Sequence, residues 1–302
     1  MKYICAQPAI QYFGWQIDVL LYSFRTVGVN LEDVHIISAI HGSIDPYFDK
    51  LMRKYPGVVF SFYEDTREYR DYIPSIKQHL LYKHYCAFPE FEKETIFLMD
   101  SDTCLIKPIN FNGLLDDDIW YVSDTVSYLG YNYLKEKGAD IYNPMFKIAG
   151  ISEDLVKSMN NASGGAQYLY KNVKKEFWKE VVELSHDLYK KISVISNEKK
   201  QKDNNYFPIQ IWTAEMWAML WVAWRKGIMT SVHKNLNFCW ATDNKSKWIE
   251  NSIFHNAGVV DESQGLFFKG KYIDNIPELN LEIANDRCSF MYYKVLQQAL
   301  SM

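Results

Sequence analysis

Two carboxylates one residue apart, Asp100 and Asp102, close the run Ile96-Phe97-Leu98-Met99-Asp100-Ser101-Asp102-Thr103. The apolar half of that run has the length and composition of a buried strand, and a period-two chain places both aspartates on one side. Two unshielded negative charges held that way repel unless a cation lies between them. Carboxylate oxygens suit magnesium or manganese, ions that keep open positions for the oxygens of a diphosphate. An isolated Asp-x-Asp is equally a turn in which both side chains cap backbone amides. A second carboxylate, Glu215, lies in Trp212-Thr213-Ala214-Glu215-Met216-Trp217. Thr213 reads as a helix N-cap and Glu215 as a first-turn acid favoured by the macrodipole. Met216 stands where a capping box would need Glu or Gln, so helix initiation does not fully account for Glu215. Held among Trp212, Trp217 and Trp221, such a carboxylate could have its pKa raised into the range of a general base.

These groups need a scaffold, and the first half of the chain supplies one as alternating strands and helices. Tyr3 to Ala6, Val34 to Ile40, Val58 to Tyr63, Thr95 to Met99 and Ile119 to Val122 read as strands. Phe13 to Thr26, stopped by Gly28, and about Ser75 to Ala87 read as helices. The pattern predicts an α/β fold with an open, mostly parallel sheet flanked by helices, and ligands at the carboxyl ends of its strands. Ala6, Gln7 and Tyr63 fall at such ends. In the second half, Gly164-Gly165 reads as a turn, Glu176 to Lys191 as an amphipathic helix, Ser196 to Asn205 as a solvated lysine-rich loop, and Trp212 to Lys226 as a helix ended by Gly227.

With 302 residues, 48% hydrophobic and 23% charged, the chain is a folded globular protein, neither a disulfide scaffold nor a disordered one. A formal charge of -4 gives no global field for nucleic acid, so no nucleic-acid partner is expected. The aromatic share of 16% fits both core packing and stacking on flat ligands. Five cysteines without a CxxC pair suggest neither a disulfide framework nor structural zinc, and fit a reducing compartment. Polar residues interrupt every apolar run of the N-terminus, which predicts no signal segment, no membrane span and a cytoplasmic location.

The stretch from Leu81 to Pro108, LYKHYCAFPEFEKETIFLMDSDTCLIKP, resembles the core of nucleotide-sugar-dependent glycosyltransferases of the GT-A fold. The opening FGWQIDVLLYSFRTVG and the downstream SGGAQ and FHNAG segments are similar to parts of the same class, particularly to relatives of the plant hydroxyproline arabinosyltransferases and serine galactosyltransferases. The resemblance runs from about residue 3 to 271 and implies one GT-A domain over 1–302, with a nucleotide-sugar half at 1–125 and an acceptor half at 126–302. It implies a UDP-sugar donor, Mn2+ or Mg2+ as cofactor, and a glycan or glycoprotein acceptor. Asp102 would ligate the metal directly, Asp100 the metal or the donor ribose, with Ser101 beside them, and His255 would be the third ligand. Lys271, rather than its neighbour Lys269, would neutralise the leaving diphosphate, and Lys83 would reach phosphate or sugar. Ala6 and Gln7 would read the uracil edge and Tyr63 would stack on it, or pack in the core. Gly164, Gly165 and Gln167 would line the sugar pocket, the glycines by close backbone approach and Gln167 by hydrogen bonds to hydroxyls. Glu215 would be the base of an inverting transfer, or an orienting carboxylate in a retaining one. Two rival functions use some of the same features: a metal-dependent hydrolase of nucleoside diphosphate sugars, and a non-catalytic glycan-binding protein.

Overall fold

The computed structural model describes all 302 residues. Its ten strands are β1 (Lys2–Pro8), β2 (Val34–Ile40), β3 (Val59–Glu64), β4 (Thr95–Met99), β5 (Thr103–Leu105), β6 (Trp120–Ser123), β7 (Gly165–Lys171), β8 (Thr230–Val232), β9 (Phe238–Trp240) and β10 (Ile253–His255). Seven form a sheet in the order β3-β2-β1-β4-β7-β6-β8, and β5-β10-β9 form a small second sheet. The β1–β2, β2–β3 and β6–β8 pairs are parallel, and β6–β7 is antiparallel. This is the open, mostly parallel, helix-flanked α/β architecture expected of a GT-A fold.

The chain divides into two compact units, one of residues 1–64, 98–112 and 235–302, the other of residues 65–97 and 113–234. Both are discontinuous in sequence.

In the first unit, the Gln11–Val27 helix covers the parallel strands with a buried face that includes Trp15, Ile17, Leu20 and Phe24. Gly28, in the left-handed region at φ 82°, ends it by donating its N–H to the carbonyls of Arg25 and Phe24. Asp18, which breaks the apolar run of this helix in sequence, is fully buried and satisfied. Its carboxylate takes Lys54 Nζ at 2.6 Å, Tyr55 Oη at 2.8 Å and Tyr47 Oη at 3.1 Å.

In the second unit, the helices Ile76–Ala87, Lys175–Lys202 and Ala214–Arg225 enclose Trp178, Trp217 and Trp221, all fully buried. Most of the aromatic excess is therefore core. The Lys175–Lys202 helix takes in residues 196–202 of the segment expected to be a solvated loop, and only residues 203–205 remain an exposed turn. Its buried face continues with Ile192 and Ser196, one turn apart, and Lys199 lies over the Tyr206 ring while pairing with Asp140 at 2.6 Å. The lysine content signalled a wet face and concealed the apolar one.

Gly164-Gly165 is also not a surface turn. Gly165 opens β7 opposite Ser123, at a register shift in the β6–β7 ladder. A Cβ on Gly164 would lie 2.3 Å from Val122 Cγ2 and 2.4 Å from the Ser123 carbonyl, and one on Gly165 would lie 2.5 Å from Met216 Cε. The atoms a Cβ would meet first at these glycines belong to β6 and to the Met216 side chain. We expect Gly164→Ala to lower stability by about 1–3 kcal/mol, the cost of overpacking, read as a lower urea midpoint at constant m-value.

Three imidazoles are held neutral in the fold. The pKa values of His35, His79 and His186 are each lowered from 6.5 to about 4. Burial is the first cause in each, joined by Lys2 for His35, by Lys83 and Arg67 against an opposing Asp65 for His79, and by Arg67 and Lys190 for His186. A base depressed by folding leaves stability intact above the unfolded pKa and removes it as the pH falls toward the folded one. The urea midpoint should therefore drop between pH 6.5 and about 4, and the drop should be shallower in a His79→Gln/His186→Gln variant.

Candidate metal centre

The centre lies within the first unit. β4 ends at Met99, and the chain turns through Asp100, Ser101 and Asp102 into β5, with Thr103 Oγ1 donating to the Asp100 carbonyl at 2.6 Å. β5 pairs antiparallel with β10, and the register sets Thr103 against His255. The Asn256 amide donates to the Asp102 carbonyl at 2.8 Å, which fixes the two segments together beside the aspartates. One ligand atom from each of Asp100, Asp102 and His255 lies within 4.8 Å of the others. The sequence-predicted triad is thus brought together, by two three-residue strands that bridge more than 140 residues of chain.

His255 is held on both sides. Its ring stacks on Trp240, with centroids 5.9 Å apart and planes at 8°, and meets Phe238 edge-on at 5.1 Å. Nε2 stands 3.2 Å from Asp102 Oδ1, while the buried Nδ1 has no hydrogen-bond partner. Two carboxylates and an imidazole with a spare nitrogen are a donor set that fits a divalent cation such as manganese. Lys269 Nζ is ion-paired with Asp102 Oδ2. Burial raises the Asp102 pKa, but the Lys269 ammonium and His255 outweigh it and hold the carboxyl well below the usual range. Burial lowers Lys269, and Asp102, Tyr12 and Asp100 more than offset it, so the ammonium stays charged.

Lys269, not Lys271, is the lysine at this centre. The two occupy a one-turn 3-10 helix, Lys269–Tyr272, anchored in the core by Phe267, whose amide donates to Ser289 Oγ at 2.9 Å. From that anchor Lys269 faces Asp102, and Lys271 points outward to pair with Glu262 at 2.7 Å. Tyr12, on the first helix and close enough to feel both Lys269 and Asp102, is a further neighbour that sequence reasoning missed. A sequence signal existed for Lys269: its two-residue spacing from the apolar Phe267.

The remaining sequence-predicted residues are placed as follows. Ser101 is buried, and its hydroxyl donates to Gln16 Oε1 at 3.2 Å rather than opening toward a ligand. Ala6 is fully buried in β1, Gln7 is half-buried one residue further on, and Tyr63 is half-buried near the end of β3, paired in register with Ala39. In the second unit, Lys83 lies near His79 on the Ile76–Ala87 helix. Gln167 is fully buried; Oε1 accepts from Ser123 Oγ at 2.7 Å, leaving Nε2 as its one spare polar atom.

Glu215 is buried in the second unit at the start of the Ala214–Arg225 helix, where Oε2 accepts from Tyr72 Oη at 2.6 Å and its own N–H donates to the same hydroxyl at 2.9 Å. Thr213 makes no side-chain cap; its hydroxyl bonds back to the Gln210 carbonyl. Tyr72 does that work instead. Burial and the adjacent carboxylate raise the Tyr72 pKa well above 10, so the proton stays on the phenol and Glu215 is the acceptor.

No protein-family model matches the sequence, and no curated protein matches it. Among solved structures, the chain is similar to the apo structure of WbbM, a bifunctional glycosyltransferase, at 12% identity and a TM-score of 0.48 over 98% of this chain and 51% of that one. It is also similar to a glycosyltransferase involved in glycosylation of the major capsid of PBCV-1, at 11% identity and a TM-score of 0.41 over 85% of this chain and 93% of that one. A third similar structure is an active-site mutant of LgtC, at 10% identity and a TM-score of 0.44 over 86% of this chain and 88% of that one. The chain spans about half the length of the WbbM chain.

Proposed function

We propose that the chain is a metal-dependent glycosyltransferase that moves a sugar from a UDP-sugar to a hydroxyl of a glycan or glycoprotein. The observation that carries this reading is the convergence of Asp100, Asp102 and His255 within 4.8 Å, with the Lys269 ammonium on Asp102, just past the end of a strand of an open α/β sheet. Such a sheet offers its ligand crevice at strand carboxyl ends. Asp100, Asp102 and His255 would hold a divalent ion, which would supply Lewis-acid stabilisation to a diphosphate leaving group. The protein's own part is to fix the carboxylates through the β5–β10 ladder, to orient His255 between Trp240 and Phe238, and to keep a fixed positive charge, Lys269, where negative charge develops.

Gln7 and Tyr63, half-buried near the ends of β1 and β3, are the groups we assign to the base and ribose. Glu215 is assigned the acceptor proton in an inverting transfer, Tyr72 holding its carboxylate in one orientation. The placement beside hydroxyproline arabinosyltransferases and serine galactosyltransferases rests on sequence segments alone, and a donor screen with UDP-arabinofuranose, UDP-xylose and UDP-galactose reads it.

The decisive test is a thermal-shift series with UDP, manganese and both, on wild type and on Asp102→Ala. Stabilisation by UDP that requires manganese and disappears in the variant supports the reading. A hydrolase would instead release sugar at full rate without acceptor, and a glycan-binding protein would respond to glycan and ignore nucleotide. The two lysines give a sharper internal comparison. Lys269→Met should lower kcat by about 100-fold, the usual scale for removing one charge-stabilising group, while Lys271→Met should stay within about twofold of wild type.

A further inference from the structure

Nine tryptophans are present, and Trp212 is the only one among the exposed large hydrophobic residues, at 56% of its surface. Its backbone is firmly held. The residue sits in the 3-10 turn Ile211–Thr213, its carbonyl lies 2.8 Å from the Tyr72 hydroxyl, and the Thr213 amide closes the turn onto the Gln210 carbonyl at 3.0 Å. The ring lies beside Tyr128, with centroids 6.5 Å apart and planes at 30°. Tyr128 is carried on the short helix Val126–Leu129, and Trp217 Nε1 ties that helix down by donating to the Leu129 carbonyl at 3.0 Å. Two more residues of the same segment, Asp124 and Ser127, are exposed and polar. Phe207, the other strongly exposed ring of this region, carries the Lys137 ammonium 5.0 Å above its face and has no aromatic neighbour of the kind Tyr128 gives Trp212.

A rigid tryptophan kept in water forgoes the stabilisation that burial would give it, unlike the mobile apolar side chains that any surface carries. The chemistry of this patch matches one face of a pyranose, whose axial C–H groups pack on an aromatic face while the equatorial hydroxyls reach a polar rim.

We propose that Trp212, backed by Tyr128, is a platform that binds the acceptor by stacking on a neutral, equatorially substituted pyranose ring. This deepens the glycosyltransferase reading and rests on it for the word acceptor. The platform is specific to sugar shape and takes no part in holding the donor.

The test uses the one exposed tryptophan as its own reporter. Iodide should quench a fraction of the fluorescence that is absent in Trp212→Phe, and cellotetraose, chitotetraose or lactose should protect that fraction. With the preferred sugar as acceptor, Trp212→Ala should raise KM by about five- to tenfold, leave kcat within about twofold and leave manganese-dependent UDP binding unchanged, while Trp212→Phe should restore most of the affinity. An unchanged thermal midpoint for Trp212→Ala shows that the fold is intact. No protection by any of the three sugars, or an unchanged acceptor KM in Trp212→Ala, overturns the platform. Sugar protection without any UDP binding by wild type would instead overturn the transferase reading and leave the platform as a sugar site.

Discussion

Asp102→Asn should abolish manganese-dependent UDP binding and lower transfer by about three orders of magnitude, a loss on the scale of several kcal/mol of metal stabilisation. The substitution keeps the shape of the side chain and removes its charge. Asp102 is the one residue of the centre that meets both His255, at 3.2 Å, and the Lys269 ammonium. Without that charge, His255 and Lys269 face each other with no acid between them, and a divalent ion would lose one of its two buried ligands. Stability and binding are separable in this variant. An intact thermal midpoint with UDP binding lost marks a ligand defect, whereas UDP binding retained at wild-type strength and still dependent on manganese would show that the ion is held elsewhere.

Glu215→Gln is expected to lower transfer by about 100-fold or more while leaving UDP binding unchanged, the usual scale for removing a general base. The amide is isosteric, its oxygen can still accept from Tyr72, and the backbone bond from Glu215 N–H to the Tyr72 hydroxyl does not involve the side chain. The helix start is therefore preserved, and what disappears is the capacity to take a proton. Single-turnover rates with saturating donor read this directly. Near-normal turnover would leave Glu215 with a purely architectural role, as the partner that fixes Tyr72 at the head of its helix. Product NMR of the anomeric centre then distinguishes an inverting enzyme, which needs the base, from a retaining one.

The aspartate pair was legible because an unbroken apolar strand ends on two carboxylates, a pattern whose electrostatics alone call for a cation. His255 was reached only through resemblance. The strands that bring it to Asp102, β5 and β10, are three residues each, too short for any periodicity to show. Lys269 and Lys271 lie two residues apart on one 3-10 turn and therefore face different ways, with the buried Phe267 just ahead of the turn and Lys269 on the Asp102 side. At Gly164 and Gly165 the sequence predicts a backbone that approaches a sugar, and the atoms nearest a Cβ there are those of Val122 and Ser123 on β6 and of the Met216 side chain. The lysine-rich end of the Lys175–Lys202 helix was misread because long cationic stems can cover apolar surface while their ammonium groups stay wet or paired. The open parallel scaffold itself was plain from alternation of strand and helix, since β2 and β4 were bounded in sequence at the residues where they begin and end.

The claim beneath all of this is that Asp100, Asp102 and His255 jointly hold a divalent ion that meets a nucleoside diphosphate. Anomalous diffraction at the manganese edge, from crystals grown with manganese and UDP, tests it most directly. A single peak bonded to oxygens of both aspartates or to Asp102 and His255, and shared with the diphosphate, is the predicted result. UDP bound with no peak there, and Lys269 still paired with Asp102, would contradict the account.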